Sequence, residues 1–170
     1  MRRFILIVSM LSGFQVVASG ADREQEQSQL RFSLGYGNAF RGFPGALRNH
    51  SVQGGMQLVW ARGFGVGVEG GLHGVCNHCD FRGSFAANGY YHFRLPRHLE
   101  RLEPFVTAGY TVALGPGTNS SLFNFGAGIN LWLIDLWSRQ DTAVRVEIRD
   151  HLSFDKGAHF PEIRIGLAFR

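Results

Sequence analysis

The sequence predicts an all-β chain, an eight-stranded antiparallel up-and-down barrel that crosses a membrane on its strands. Three observations carry this expectation. Eight stretches of alternating apolar and polar residues succeed one another from Leu30 to Arg170, each about as long as a membrane-crossing strand. They follow a segment with the layout of a cleavable export signal. The 23 glycines and 15 phenylalanines suit strands, tight turns and membrane-interface rings better than a helical core.

The signal fixes the expected compartment. Arg2 and Arg3 form a positive start, Phe4 to Val17 is mostly apolar, and Ala18-Ser19-Gly20-Ala21 supplies small residues for cleavage. The apolar run is shorter than the roughly 20 residues a spanning helix needs. Cleavage fits after Gly20 or after Ala21. The latter gives a signal peptide over 1–21, a polar tail over 22–29 and a barrel domain over 30–170. No later segment is apolar for the length of a helical span, so membrane residence has to be as strands.

Without Arg2 and Arg3 the chain carries 15 basic and 13 acidic residues, a near-balance that argues against a nucleic-acid binder, whose footprint is a basic patch or stripe rather than scattered arginines. Lys156 is the single lysine, against sixteen arginines, whereas a water-washed surface usually carries more lysine and glutamate.

Each strand is read from its period of two. The first sets Leu30, Phe32, Leu34 and Tyr36 against Arg31, Ser33, Gly35 and Gly37. The second sets Val52, Gly54, Met56, Leu58 and Trp60 against Gln53, Gly55 and Gln57. Arg62-Gly63 turns the chain into the third, where Phe64, Val66, Val68 and Leu72 oppose Gly65, Gly67, Glu69, Gly71 and His73. In the fourth, Phe85, Ala87, Tyr91 and Phe93 oppose Asn88, Tyr90, His92 and Arg94, and residues 95–101 break the pattern at Pro96. The fifth sets Val106, Ala108, Tyr110, Val112 and Leu114 against Phe105, Thr107, Gly109 and Thr111, and Gly115-Pro116-Gly117 ends it. Phe123, Phe125, Ala127, Ile129 and Leu131 face away from Asn124, Gly126, Gly128 and Asn130 in the sixth. Past a turn near Trp137 to Asp141, the seventh opposes Val144, Val146 and Ile148 to Arg145, Glu147 and Arg149. The eighth opposes Ile163, Ile165, Leu167 and Phe169 to Arg164, Gly166 and Ala168.

Charged residues in these alternating cores all fall on one face. Volume decides which face is inside: an eight-stranded barrel has room for a filling of side chains only, so the glycine-rich face lines it and the ring of Phe, Tyr, Trp and Leu points out. Such a belt in water aggregates, and lipid is its natural solvent. An even strand count brings both termini to one side, which in such barrels is the periplasm.

The lumen is then expected to hold Arg31, Glu69, Arg145, Glu147, Arg149 and Arg164, with Asn88, His92, Asn124 and Asn130 nearby. Buried charges are tolerated when paired, since an unpaired ion costs several kcal/mol. Glu69 and Glu147, each between arginines, read as a salt-bridge plug; the other reading is a narrow, anion-preferring ion path.

On these patterns the whole mature chain resembles the small eight-stranded outer-membrane β-barrel families, represented by the OmpA transmembrane domain, OmpX and OmpW. Arg164-Ile165-Gly166-Leu167-Ala168-Phe169 is similar to their C-terminal assembly signal, although here Arg170 follows the aromatic on which such signals end. The resemblance implies residence in the bacterial outer membrane, contact with its lipid and lipopolysaccharide, recognition by the outer-membrane assembly machinery, a structural or porin-like role, and no cofactor. Such families also include adhesins and lipid-modifying enzymes, so fold leaves function open.

An alternative reading is catalytic. His151 and Ser153, two apart on a strand, project the same way, and Glu162 on the neighbouring strand could orient the imidazole. The pair resembles the His-x-Ser motif of the eight-stranded lipid A deacylases, in which Ser153 would be nucleophile, His151 base and Glu162 orienting acid. The continuation here is Phe154-Asp155 in place of Asn-Ala, and parity from Ile148 turns His151 inward, away from lipid.

Cys76 and Cys79, with His78 between them and His73 before, admit three states. An exported compartment favours a disulfide stiffening the loop; His73, Cys76, His78 and Cys79 could instead ligate zinc or iron; the thiols could also be free. Gly65-Val66-Gly67-Val68-Glu69-Gly70 matches the dinucleotide-binding glycine pattern by accident, because no helix N-terminus follows to hold a phosphate. Trp60, Phe64, Tyr91, Phe93, Trp132 and Trp137 are expected to form an interfacial girdle. In the short external loops, Arg41, Arg48, Arg82 and Lys156 could touch lipopolysaccharide phosphates.

Overall fold

In the computed structural model, residues 28–40, 50–74, 82–115, 119–133, 141–153 and 157–170 are described. The proposed signal peptide, most of the polar tail, Cys76, His78, Cys79, Trp137, Arg41, Arg48 and Lys156 lie outside them. The eight strands are β1 (Gln29–Ala39), β2 (His50–Val59), β3 (Phe64–His73), β4 (Arg82–His92), β5 (Leu102–Leu114), β6 (Ser120–Leu133), β7 (Thr142–Ser153) and β8 (His159–Phe169). Each pairs antiparallel with the next, and β1 pairs with β8 from Phe32↔Phe169 to Ala39↔Glu162, closing the barrel. β1 opens at Gln29, one residue earlier than the alternation marks.

Burial follows the period of two. Phe32, Leu34, Val66, Phe85, Ile148 and Ile165 are exposed on the outer face, while Arg31, Gln57, Asn88, Asn124, Arg149 and Glu162 are buried in the lumen. This inverts a water-soluble domain: the apolar side chains point out and the polar ones form the core.

Five charged residues fit into so narrow a lumen because the neighbouring strand offers a glycine beside each. The register places Gly55 opposite Glu69, Gly128 opposite Glu147, Gly126 opposite Arg149, Gly166 opposite Arg145 and Gly37 opposite Arg164. A methyl group added at Gly37 would collide with the Glu162 carboxylate and the Ser51 hydroxyl, and one at Gly128 with the Phe105 ring. Large and small residues thus alternate around each layer, the arrangement small barrels need.

The chain ends lie at one end of the barrel, with the turn at 60–63, the connection 93–101 and the facing ends of β6 and β7; β1 and β2, β3 and β4, β5 and β6, and β7 and β8 meet at the other. At the terminus end, Gly63 takes φ +88° and lets β2 turn straight into β3. The connection 93–101 holds a short 3₁₀ turn, Arg97–Leu99.

Two prolines extend strands beyond their sequence-predicted limits. Pro104 lies inside β5 and Pro161 inside β8. The Pro104 carbonyl accepts from the Phe93 amide and the Pro161 carbonyl from the Phe40 amide, so each ring nitrogen also faces that neighbour, just past the end of the neighbour's strand. The missing N–H therefore costs no ladder bond.

Candidate functional site: the charged lumen

The lumen is filled in three tiers, each built around acids held by arginines. In the middle tier β7 contributes Arg145, Glu147 and Arg149, side by side on one face because they are two residues apart. The Glu147 carboxylate, 2% exposed, accepts from Arg145 Nη2 at 3.0 Å and from Arg149 Nε at 2.6 Å. Arg149, wholly buried, reaches across the lumen to Glu69 of β3, where Nη1 donates to Oε2 at 2.5 Å and Nη2 to Oε1 at 3.0 Å. Arg164 Nη1 of β8 donates to Glu69 Oε2 at 3.1 Å, and the Tyr90 hydroxyl donates to Glu69 Oε1 at 2.6 Å. The bidentate geometry gives strong, oriented bonds. Beside this tier is a cavity of about 30 Å³ bordered by Gln53, Glu69, Arg145, Glu147 and Arg164, enough for one water molecule.

Toward the loop end, Glu162 takes over. Arg164 Nε donates to it at 2.8 Å and Gln53 Nε2 at 2.9 Å, and the Ser51 hydroxyl donates a short bond. The small polar residues beyond pair among themselves: Asn124 Nδ2 donates to Thr111 at 2.9 Å, and His73 Nε2 lies 2.8 Å from Ser84 Oγ. Toward the terminus end, Glu103 of β5 gathers Arg31 at 2.5 Å, His92 Nδ1 at 2.8 Å and Asn130 at 3.0 Å. Aromatic rings complete that tier. The Arg145 guanidinium sits 4.0 Å from the centre of the Phe105 ring, and Trp132 lies between Arg31, at 5.3 Å, and Arg170, at 4.1 Å.

All six residues read from sequence as the lumen network face inward. Arg145, Glu147, Arg149, Glu69 and Arg164 are joined in one chain of ion pairs, whereas Arg31 belongs to the separate tier around Glu103. Glu103 and the bridging role of Glu162 were missed, because both adjoin prolines that mark strand ends when only the sequence is read. Trp132 is a correction: it is 5% exposed and lies in the lumen, outside the interfacial girdle. The alternation already carried this signal, since Leu131 and Leu133 on either side point out. Trp60, Phe64 and Phe93 are exposed on the outer face as a girdle requires, and Tyr91 packs edge-on against Phe64 and Phe93.

His151, Ser153 and Glu162 are buried inside the barrel, away from the lipid-facing surface. His151 directs Nε2 toward Glu162 Oε2 at 3.6 Å and toward Arg164 Nη2 at 3.3 Å. His73, the described member of the Cys/His set, makes the bond to Ser84 given above.

No protein-family model matches the chain, and no curated protein is significantly similar to it. Among solved structures, the N-terminal β-barrel domain of Pseudomonas aeruginosa OprF superposes with a TM-score of 0.59 at 13% identity, over 84% of this chain and 98% of that one. The chain has the fold of an eight-stranded outer-membrane β-barrel. Neisserial surface protein A (NspA) is also similar, with a TM-score of 0.48 at 9% identity over 84% of this chain and 98% of that one. At these identities the likeness concerns the barrel alone, and function has to be argued from the lumen.

Proposed function

We propose that the protein is a structural barrel of the bacterial outer membrane whose lumen is plugged by its ion-pair network. One observation carries the reading: Glu69 is gripped by Arg149 and Arg164 from across the lumen, and the neighbouring space holds about one water molecule. An ion crossing this tier would have to part bidentate, desolvated pairs, which costs several kcal/mol. Open channels belong to wider barrels. The export signal, the outward apolar face and the fold shared with the OprF barrel domain support the compartment. In that setting the outer-membrane assembly machinery reads β8, and Arg82 with the loop residues Arg41, Arg48 and Lys156 meets lipopolysaccharide phosphates.

Two measurements test the proposal. The protein folded into lipid vesicles should migrate differently on gels before and after boiling, and in planar bilayers it should pass no steady current. A stable ion current from the unaltered chain would replace the plug with the narrow porin-like path. Lipid A deacylation is disfavoured because His151, Ser153 and Glu162 face the lumen.

A further inference from the structure

The terminus end carries a feature that the plug does not use. The connection 93–101 exposes Arg94, Arg97, His98 and Arg101 within eight residues, and Arg62 in the turn 60–63 and Arg170 at the chain end are exposed beside it. Glu100 and Asp141 are the acids among the described residues of this rim, and Asp141 already binds Arg170 at 2.7 Å. The basic collar adjoins the exposed aromatics Trp60, Phe64 and Phe93. Between the turn and the connection a cavity of about 350 Å³ opens, lined by Trp60, Phe93 and Leu95 together with Arg94 and Arg170, and by Glu100 and the lumen acid Glu103, which is already held by Arg31 and His92. Leu99, 39% exposed between Arg97 and Arg101, adds an apolar tip to the charged segment.

We propose that this rim is a binding site for an anionic phospholipid of the membrane leaflet nearest the chain termini. The phosphate is held by Arg94, Arg97 and Arg101, and the acyl chains run up the face carrying Trp60 and Phe93. Aromatic rings at headgroup level mark where the membrane surface lies. Exposed guanidinium groups on the connection that follows Phe93 meet phosphate oxygens there, for which Arg has the fitting donor geometry. A soluble acidic partner would explain the charge but not the union of arginines with an outward-facing aromatic wall. The inference rests on the outer-membrane reading proposed above.

The test uses the full protein in vesicles of phosphatidylcholine to which brominated phosphatidylglycerol or brominated phosphatidylcholine is added, with quenching of Trp60 fluorescence as the signal and a Trp60→Phe variant to assign it. Phosphatidylglycerol should quench at lower mole fraction than phosphatidylcholine. Arg97→Gln and Arg101→Gln should each weaken that preference by about fivefold, the equivalent of about 1 kcal/mol per arginine at a membrane surface. His159→Gln, on β8 at the opposite end, should leave it unchanged. Equal quenching by the two lipids overturns the site. Retention of a poly-glutamate peptide without lipid preference also overturns it and assigns the collar to an acidic macromolecule. Loss of the gel shift on boiling, in phosphatidylcholine alone, would instead count against the membrane-barrel reading, so the two failures are separable.

Discussion

The two ends of the lumen solve the same packing problem with different chemistry. At the terminus end the fill is aromatic: Tyr90, His92 and Phe105 pack on one another, Arg145 lies over Tyr90 and Phe105, and Trp132 sits between Arg31 and Arg170. At the loop end it is a mesh of small polar groups, Ser51, Gln53, Thr111 and Asn124, around Glu162. Rings occupy volume and attract guanidinium groups while leaving few polar atoms to satisfy. Hydroxyls and amides fill less but satisfy each other. The middle tier couples the halves, since Arg145 touches the rings and pairs with Glu147, while Arg164 pairs with both Glu69 and Glu162.

The sharpest way to break this arrangement is to remove the coupling. Arg149→Leu leaves Glu69 with one arginine fewer and Glu147 half-compensated; it should destabilise the folded barrel by about 3–5 kcal/mol in urea unfolding from vesicles. If the plug reading holds, the same variant should also conduct in planar bilayers where the unaltered chain does not. At the aromatic end, Phe105→Ala should cost about 3–5 kcal/mol by leaving a cavity, at the lower end if Tyr90 and His92 relax into it. Because no carboxylate is orphaned, it should not open an ion path; conductance separates the two variants where stability does not. At the polar end, Gly37→Val should cost about 1–3 kcal/mol by forcing Glu162 and Ser51 apart, read as a lower midpoint in the same titration. The smallest effect is expected at Ser153→Ala: stability within about 0.5 kcal/mol, and lipid A acyl chains unchanged by mass spectrometry. Loss of a deacylation product in that variant would revive the catalytic reading of His151, Ser153 and Glu162.

How much of this was legible in the sequence varied with the rule being applied. Parity within a strand is local, so the facing of Arg31, Glu69, Arg145, Glu147, Arg149 and Arg164 could be read directly. Partnership is not local. Nothing in the spacing says that Arg149 of β7 reaches Glu69 of β3, because that depends on the stagger of strands around a closed sheet. Glu103, and the part Glu162 plays in the charge network, escape the sequence reading for a different reason. Pro104 and Pro161 suggest strand ends, yet each stands at a rim where its neighbour has run out and no amide is needed. Trp132 shows the converse error, where aromatic character outweighed an alternation that was already plain.

The closing of β8 on β1 has a kinetic consequence. Phe32 pairs with Phe169, near the opposite end of the chain, so the seam brings together the most distant parts of the sequence and is entropically the slowest contact to make. The grip of Arg149 and Arg164 on Glu69, and that of Ser51 on Glu162, span strands that become neighbours across the lumen only once the cylinder is shut. Interactions absent from the folding transition state act on the escape rate alone. The ion pairs that span the lumen therefore also serve as a lock on the time axis, lengthening the lifetime of the closed barrel without speeding its formation.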